Sequence, residues 1–325
     1  MTPRRRQAVQ IIASAAVVAL LVLFARHVDW PGAAAAIRTA DLRLVVLAVA
    51  LNLLSLALKG VRWWVFLRPM GVHSLALALR ATFAGASLNN LLIAQGGEGI
   101  RVLLVSRASG VSSARVLAAL AMERLLDVVS YLLLLVGAAW LLDVPGPIVR
   151  WRIPATGVLV LVVAGLAVLT LWERADGPDP TGRLHAYFVR LVASVSELAS
   201  TPRLTIGMAL SLGAWALQVA TYHVTALAAH LPIPLTGSVA ALLMVGISFL
   251  VRATPGNLGV FQMVYAITAR SFGIAEAPAI AAALLIQSVQ VLPTLVIGTL
   301  ASSRLSVARE RVRSPARDTS RDPRG

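Results

Sequence analysis

Along most of the chain, residues come in long, predominantly apolar runs, without the period of an amphipathic helix or a half-buried strand. The runs cover residues 8–25, 42–58, 125–142, 155–172, 204–224, 235–251 and 279–300. A helix needs about 20 consecutive apolar residues to cross about 30 Å of hydrocarbon, and each run approaches or meets that length. Two further stretches, 75–122 and 252–274, are apolar on average but interrupted by glycine and polar residues. The pattern predicts an all-α polytopic integral membrane protein with about eight transmembrane helices and one or two broken or re-entrant segments. Residues 8–301 read as a single helical membrane domain, between a basic N-terminus at 1–7 and a basic, disordered C-terminal tail at 302–325. A cytoplasmic amphipathic segment is expected near 173–203, after the Gly/Pro-rich breaker at 176–182.

Composition agrees with the runs and excludes other classes. The 325 residues are 58% hydrophobic and 13% charged, against about 45–50% and about 25% in soluble domains. A chain with so little charge cannot coat a water-facing surface, and disorder needs the opposite composition. The formal net charge is +15, from 29 basic and 14 acidic residues. Nearly half lies in the two tails, and most of the rest in short segments between runs. This distribution encodes topology, with basic residues kept cytoplasmic, and it does not form the basic and aromatic face of a nucleic-acid domain. Placing both termini in the cytoplasm puts Lys59, Arg62 and Arg68 there after the second run. Arg101, Arg107 and Arg115 follow them if 75–93 dips in and returns. The first run, led by Arg4, Arg5 and Arg6, reads as an uncleaved anchor. The C-terminal tail is placed to meet anionic headgroups, or simply to set topology. Trp30, Trp63, Trp64, Trp140 and Trp172 fall near run ends, as an interfacial belt. Cysteine is absent, which removes disulfides, thiolate metal sites and a cysteine nucleophile.

A faint internal repeat is visible. Gly85-Ala86-Ser87-Leu88 precedes Gly96-Gly97-Glu98-Gly99-Ile100, and Gly246-Ile247-Ser248-Phe249 precedes Gly256-Asn257-Leu258-Gly259-Val260. Paired broken segments in two halves point to a transporter's binding site, although a chain rich in glycine and alanine also produces such matches by chance.

Ionisable residues within apolar segments are costly and mark function by default. Glu123, Arg124 and Asp127 open the 125–142 run, the two carboxylates four positions apart on one helix face. They form either a site or a self-neutralising interface group. Upstream, Asn89 and Asn90 lead through a glycine-rich break to Gly97, Glu98 and Arg101. A helix N-terminus with an arginine one turn in attracts phosphate, while a plain turn is the simpler alternative. Arg252, Pro255, Gly256, Gly259 and Gln262 make a third broken element, in which Arg252 is a snorkelling residue or a phosphate ligand. No Walker A sequence or His-Glu-x-x-His is present, and the five histidines make no close ligand pair, so no nucleotide, metal or other cofactor is implied. His223 and His230 read as lone polar contacts at a run end.

Taken in order, these elements resemble the membrane region of bacterial lysylphosphatidylglycerol synthetases and their stand-alone, flippase-like relatives. That family shows Asn-x-Leu-Leu-Pro, Gly-Glu-x-x-Arg, Glu-Arg-x-x-Asp and Pro-Gly-x-x-Gly-x-x-Glu. Here the matches are Asn89 or Asn90, Gly97, Glu98, Arg101, Glu123, Arg124, Asp127, Pro255, Gly256 and Gly259, with Arg62-Trp63 fitting an Arg-Trp habit. Ile93 replaces the family's proline, and Gln262 its late glutamate, which counts against a proton or cation role there. The resemblance covers roughly residues 42–300 and implies a bacterial inner-membrane protein that handles anionic lipid. In the full-length synthetases a soluble aminoacyl-transfer domain follows the membrane region; with about 25 residues beyond the last run, the expectation here is a stand-alone relative without that domain.

The expected function is binding and transbilayer movement of an anionic phospholipid or other phosphate-bearing lipid. Arg101, Arg124 and Arg252 would hold the phosphate, and Glu98, Glu123 and Asp127 would orient them or meet a cationic headgroup. The alternatives are an intramembrane transferase with Glu123 or Asp127 as base, and a non-catalytic membrane partner of a lipid-modifying enzyme. The expected partners are therefore anionic lipid and, on the last alternative, such an enzyme, not nucleic acid. Oligomeric state is not legible.

Overall fold

The computed structural model describes residues 31, 38–91, 96–142, 144, 146–172, 200–249 and 257–313. Among these every extended regular element is helical: α1 (Leu42–Leu67), a 3-10 turn (Arg68–Met70), α2 (Leu75–Leu91), α3 (Gly96–Ser109), α4 (Ser113–Leu141), α5 (Gly146–Arg150), α6 (Arg152–Trp172), α7 (Thr201–Ala228), α8 (Leu235–Ser248), α9 (Val260–Arg270) and α10 (Glu276–Arg313). Four stretches are long and apolar enough to cross a membrane: Leu42–Met70, Ser113–Leu141, Thr201–Ala228 and Glu276–Ala301. They hold four of the expected runs, the 155–172 run lies in α6, and the 235–251 run opens α8. The protein is an all-α polytopic membrane protein. The expected anchor at 8–25, most of the 173–203 segment, and Arg252, Pro255 and Gly256 lie outside the described residues.

Two boundaries differ from the sequence reading. The 42–58 run ends at Lys59 on hydropathy, but α1 continues unbroken to Leu67. Lys59 and Arg62 therefore lie within the helix, not in a cytoplasmic segment after it. At the other end α10 reaches Arg313, so the first part of the expected disordered tail is helical. Residues 302–313 hold Ala, Leu and Arg with no glycine or proline, and these residue types favour helix.

The repeat becomes plain in the order of elements. Helices starting at Leu42, Leu75, Gly96 and Ser113 are followed by helices starting at Thr201, Leu235, Val260 and Glu276. Each half runs long, short, short, long, with starts displaced by 159 to 164 positions. At 1.5 Å per residue, α2 and α3 are about 26 and 21 Å long, and α8 and α9 about 21 and 17 Å. No member of these pairs spans the hydrocarbon alone.

The two halves meet along α1 and α7, which run antiparallel. The Asp41 amide donates to Ala228 O at 2.9 Å, and at the far end Gly207 of α7 faces Phe66 and Leu126. Between α2 and α3 the backbones touch, since a Cβ placed on Gly97 would lie 2.0 Å from Gly85 O. Gly298 of α10 likewise admits Phe83 and Ser87 of α2. Small residues that permit such close approach are how helices associate in lipid, where apolar burial supplies no drive. Inside α10, Pro293 has no N–H to give to Val289 O. Asn52 of α1 donates its Nδ2 there instead, at 3.4 Å, so a polar side chain satisfies the break. On the face of α10 turned away from the buried Thr294 and Gly298, Leu292, Val296 and Leu300 are each 60% exposed, an apolar row suited to lipid.

Candidate functional site

Six ionisable side chains converge where α1, α3 and α4 meet. Glu123, one turn before Asp127 on α4, receives two bonds from Arg101 of α3: Nη1 to Oε1 at 3.2 Å and Nη2 to Oε2 at 2.8 Å. Arg101 Nη2 also donates to Thr82 Oγ1 of α2 at 3.2 Å. Its guanidinium lies 4.2 Å from the ring centroid of Trp63. Arg62 of α1, wholly buried, donates Nη1 to Asp127 Oδ1 at 2.7 Å and to Ser211 Oγ of α7 at 2.5 Å. Its Nη2 stands 3.4 Å from Glu123 Oε1. At the outer edge Arg124, with a side chain 47% exposed, pairs with Glu98 and reaches Asp127 Oδ2 at 3.5 Å.

Three arginines and three carboxylates cancel, and the group grades from sealed to half exposed. Bidentate arginine–carboxylate bonds are the strong kind, and removing one partner of such a buried pair strands a charge. The site clamps five helices together, with each of the three guanidinium groups paired to at least one carboxylate. Trp63, expected in an interfacial belt, is fully buried against Arg101; Trp140, 55% exposed, does lie at the surface.

The remaining candidates serve the helix breaks. Asn89 Oδ1 accepts the Gly97 amide at 3.0 Å, so it caps α3 across the break. Gly97 itself is the point of contact with α2. In the second half Gly259, with φ of 84°, opens α9 in a conformation that glycine adopts readily. Gln262 Oε1 accepts the Gly259 amide at 2.7 Å, and its Nε2 donates to Gln287 of α10. Gln262 thus binds its own helix start and α10, not the six-charge group. His223 Nδ1 lies 3.0 Å from Ser238 Oγ, and His230 Nε2 3.0 Å from Thr39 O; each is a single contact.

Asn90 faces elsewhere, into a cavity of about 260 Å³ between the halves, walled by α1, α2, α7, α8 and α10. Asn52, Ser55, Gln218 and Gln290 add polar lining, and Trp215 and Tyr222 add aromatic lining. Lys59 also lines it, one helical turn before Arg62. It makes no ion pair or hydrogen bond with any described residue, and its Nζ stands 5.7 Å from the Trp215 ring centroid. Among the described lining residues there is no carboxylate. The sequence signal for Lys59 was available, a lysine three positions from an intramembrane arginine, but a charge that ends an apolar run reads as topology.

Comparison with known proteins agrees with this architecture. Glycosyltransferase AglD of Haloferax volcanii is 26% identical over an alignment of 350 positions, covering 94% of this chain and 56% of that protein. The UPF0104 membrane protein PH1989 of Pyrococcus horikoshii is 33% identical over 94 residues, 28% of each chain. The chain thus spans little more than half, or less, of these curated relatives. A family model for the lysylphosphatidylglycerol synthase transmembrane region matches residues 10–298. With the match extending from before α1 into α10, the chain belongs to the lysylphosphatidylglycerol synthase transmembrane-region family.

Proposed function

We propose that this multi-pass membrane protein binds a phosphate-bearing lipid and moves its headgroup between leaflets, in a bacterial inner membrane with both termini cytoplasmic. The observation that carries the reading is the polar cavity between two halves that each contain a broken helix pair. Polar lining at membrane depth is expensive, and broken helices in corresponding halves characterise transport sites. The six-charge group supports the cavity by locking α1 to α3, α4 and α7, while lipid chains remain in the bilayer.

A transferase reading has one observation in its favour, the alignment to a glycosyltransferase along 94% of this chain. Against it, Glu123 and Asp127, the carboxylates a base would come from, are each bonded to arginine. The deciding experiment reconstitutes the full chain in liposomes containing tail-labelled phosphatidylglycerol and follows bleaching of the outer leaflet by dithionite. Transport brings bleaching beyond the outer-leaflet half. Bleaching that stops at half, with product formed from a lipid-linked sugar donor, selects the transferase instead.

A further inference from the structure

The cavity's lining is specific enough to name the chemistry of its occupant. We infer that Lys59 anchors a single phosphodiester in this cavity, and that the amide and hydroxyl side chains around it receive a hydroxyl-bearing, uncharged headgroup such as glycerol or a sugar. The inference rests on the lipid-handling reading above and sharpens it.

Charge comes first. Lys59 lies within about 7 Å of the midpoint of α1 at 1.5 Å per residue, inside the hydrophobic span. The six neighbouring charges cancel among themselves, so Lys59 is a surplus cation facing a polar space. A cation at that depth without an ion-pair partner costs free energy that an arriving anion offsets. The ring of Trp215 covers one side of the ammonium and leaves its donors for the cavity. The Trp215 indole N–H itself is sealed away and has no acceptor among the described residues, so Lys59 is the cavity's charged donor and the side-chain amides supply the rest. One cation and neutral donors suit one negative charge better than a dianion.

The remainder of the lining selects the rest of the headgroup. Ser55 Oγ donates to Ala214 O at 2.9 Å and, at 3.4 Å, to Gln218 Oε1. That leaves the Gln218 amide nitrogen, and the whole amide of Asn90, without a hydrogen bond to any described residue. Amides both donate and accept, as an alcohol requires. An ammonium headgroup finds no carboxylate among the described lining residues, and the aromatic face of Trp215 is already beside Lys59. The volume, about 260 Å³, is below the 300–1,000 Å³ typical of drug-sized ligands, enough for a headgroup but not for acyl chains.

The test is native mass spectrometry of the full chain, titrated with phosphatidylglycerol, phosphatidylethanolamine and glycerol 3-phosphate. Phosphatidylglycerol binding at least tenfold tighter than phosphatidylethanolamine binding is expected. Lys59→Gln should weaken it at least tenfold, the worth of one charge-assisted bond, and Lys59→Arg should keep it within about threefold. Glycerol 3-phosphate is a phosphomonoester, largely a dianion near neutral pH. Its Lys59-dependent binding as tightly as the lipid overturns the phosphodiester site; much weaker binding assigns the site to a lipid headgroup. Phosphatidylglycerol binding unchanged in Lys59→Gln overturns the site, as does equal affinity for phosphatidylethanolamine. Lys59 has no ion pair or hydrogen bond to a described residue and only the Trp215 ring beside it, so Lys59→Gln should fold and stay close to wild type in heat stability. If that variant nonetheless fails to fold, tryptophan emission decides: the difference between wild type and Trp215→Phe should shift on adding phosphatidylglycerol, and no shift overturns the site. Leaflet exchange separates this inference from its premise. Exchange preserved in Lys59→Gln sinks the site and leaves transport standing; Lys59-dependent binding without exchange by wild type does the reverse.

Discussion

Replacing Glu123 by glutamine isolates the charge of the central carboxylate while keeping its shape. Arg62 loses little, because Asp127 at 2.7 Å and Ser211 at 2.5 Å remain. Arg101 loses both carboxylate bonds and is left with Thr82 at 3.2 Å and the Trp63 ring. Breaking a buried pair costs about 3–5 kcal/mol, and the acceptor that glutamine keeps places this case near 3 kcal/mol. Adding Arg101→Met removes the stranded charge as well, and the double variant should return to within about 1 kcal/mol of wild type. The assay is equilibrium unfolding in mixed micelles with increasing dodecyl sulfate, followed by far-UV circular dichroism. Glu98→Gln serves as control, because its partner Arg124 is 47% exposed and such pairs contribute under about 1 kcal/mol. A Glu123→Gln loss as small as the control's, or a double variant as unstable as the two singles summed, refutes the clamp.

Other consequences follow from single contacts. Gly97→Ala should abolish the folded product, judged by gel filtration, since its Cβ would sit 2.0 Å from Gly85 O. Gly99→Ala, with nothing within 4 Å, should instead stabilise by roughly 0.5–1 kcal/mol. Asn52→Leu removes the donor to the carbonyl that Pro293 leaves open, and should lower stability by about 1–3 kcal/mol in the same unfolding assay. Gln262→Glu, which supplies the acidic residue the family pattern has there, should cost under about 1.5 kcal/mol with the buried carboxyl neutral, because its O–H can donate to Gln287 and its carbonyl still accepts the Gly259 amide.

Much of this architecture was legible in the chain, for reasons that also mark where legibility stopped. Long apolar runs have few conformational options in lipid, so the four long helices stand where the runs do. Charges in apolar segments must find partners, and Glu98, Arg101, Glu123, Arg124 and Asp127 do so with one another and with Arg62. What the sequence could not convey is direction. Lys59 and Arg62 sit three apart, yet Arg62 points into the clamp and Lys59 into the cavity. Trp63 and Trp64 are neighbours, but the first is sealed against Arg101 while the second donates to His73 O at 3.1 Å. A hydropathy window ends at a charge; a helix ends only where its backbone bonds do, which is why α1 continues to Leu67. The Asn52–Val289 bond joins residues 237 positions apart, beyond any local pattern.

The chain contains no cysteine, so one introduced thiol reports on one place, and Gln218→Cys puts it in the cavity wall. Leaflet exchange of labelled phosphatidylglycerol should proceed in liposomes carrying this variant, stop once a charged methanethiosulfonate reagent has modified the thiol, and resume on reduction. Leu292→Cys, on the lipid-facing row, should exchange throughout. Exchange that persists after complete labelling at position 218, or a thiol there that no aqueous reagent reaches from either side, contradicts a headgroup path through the cavity.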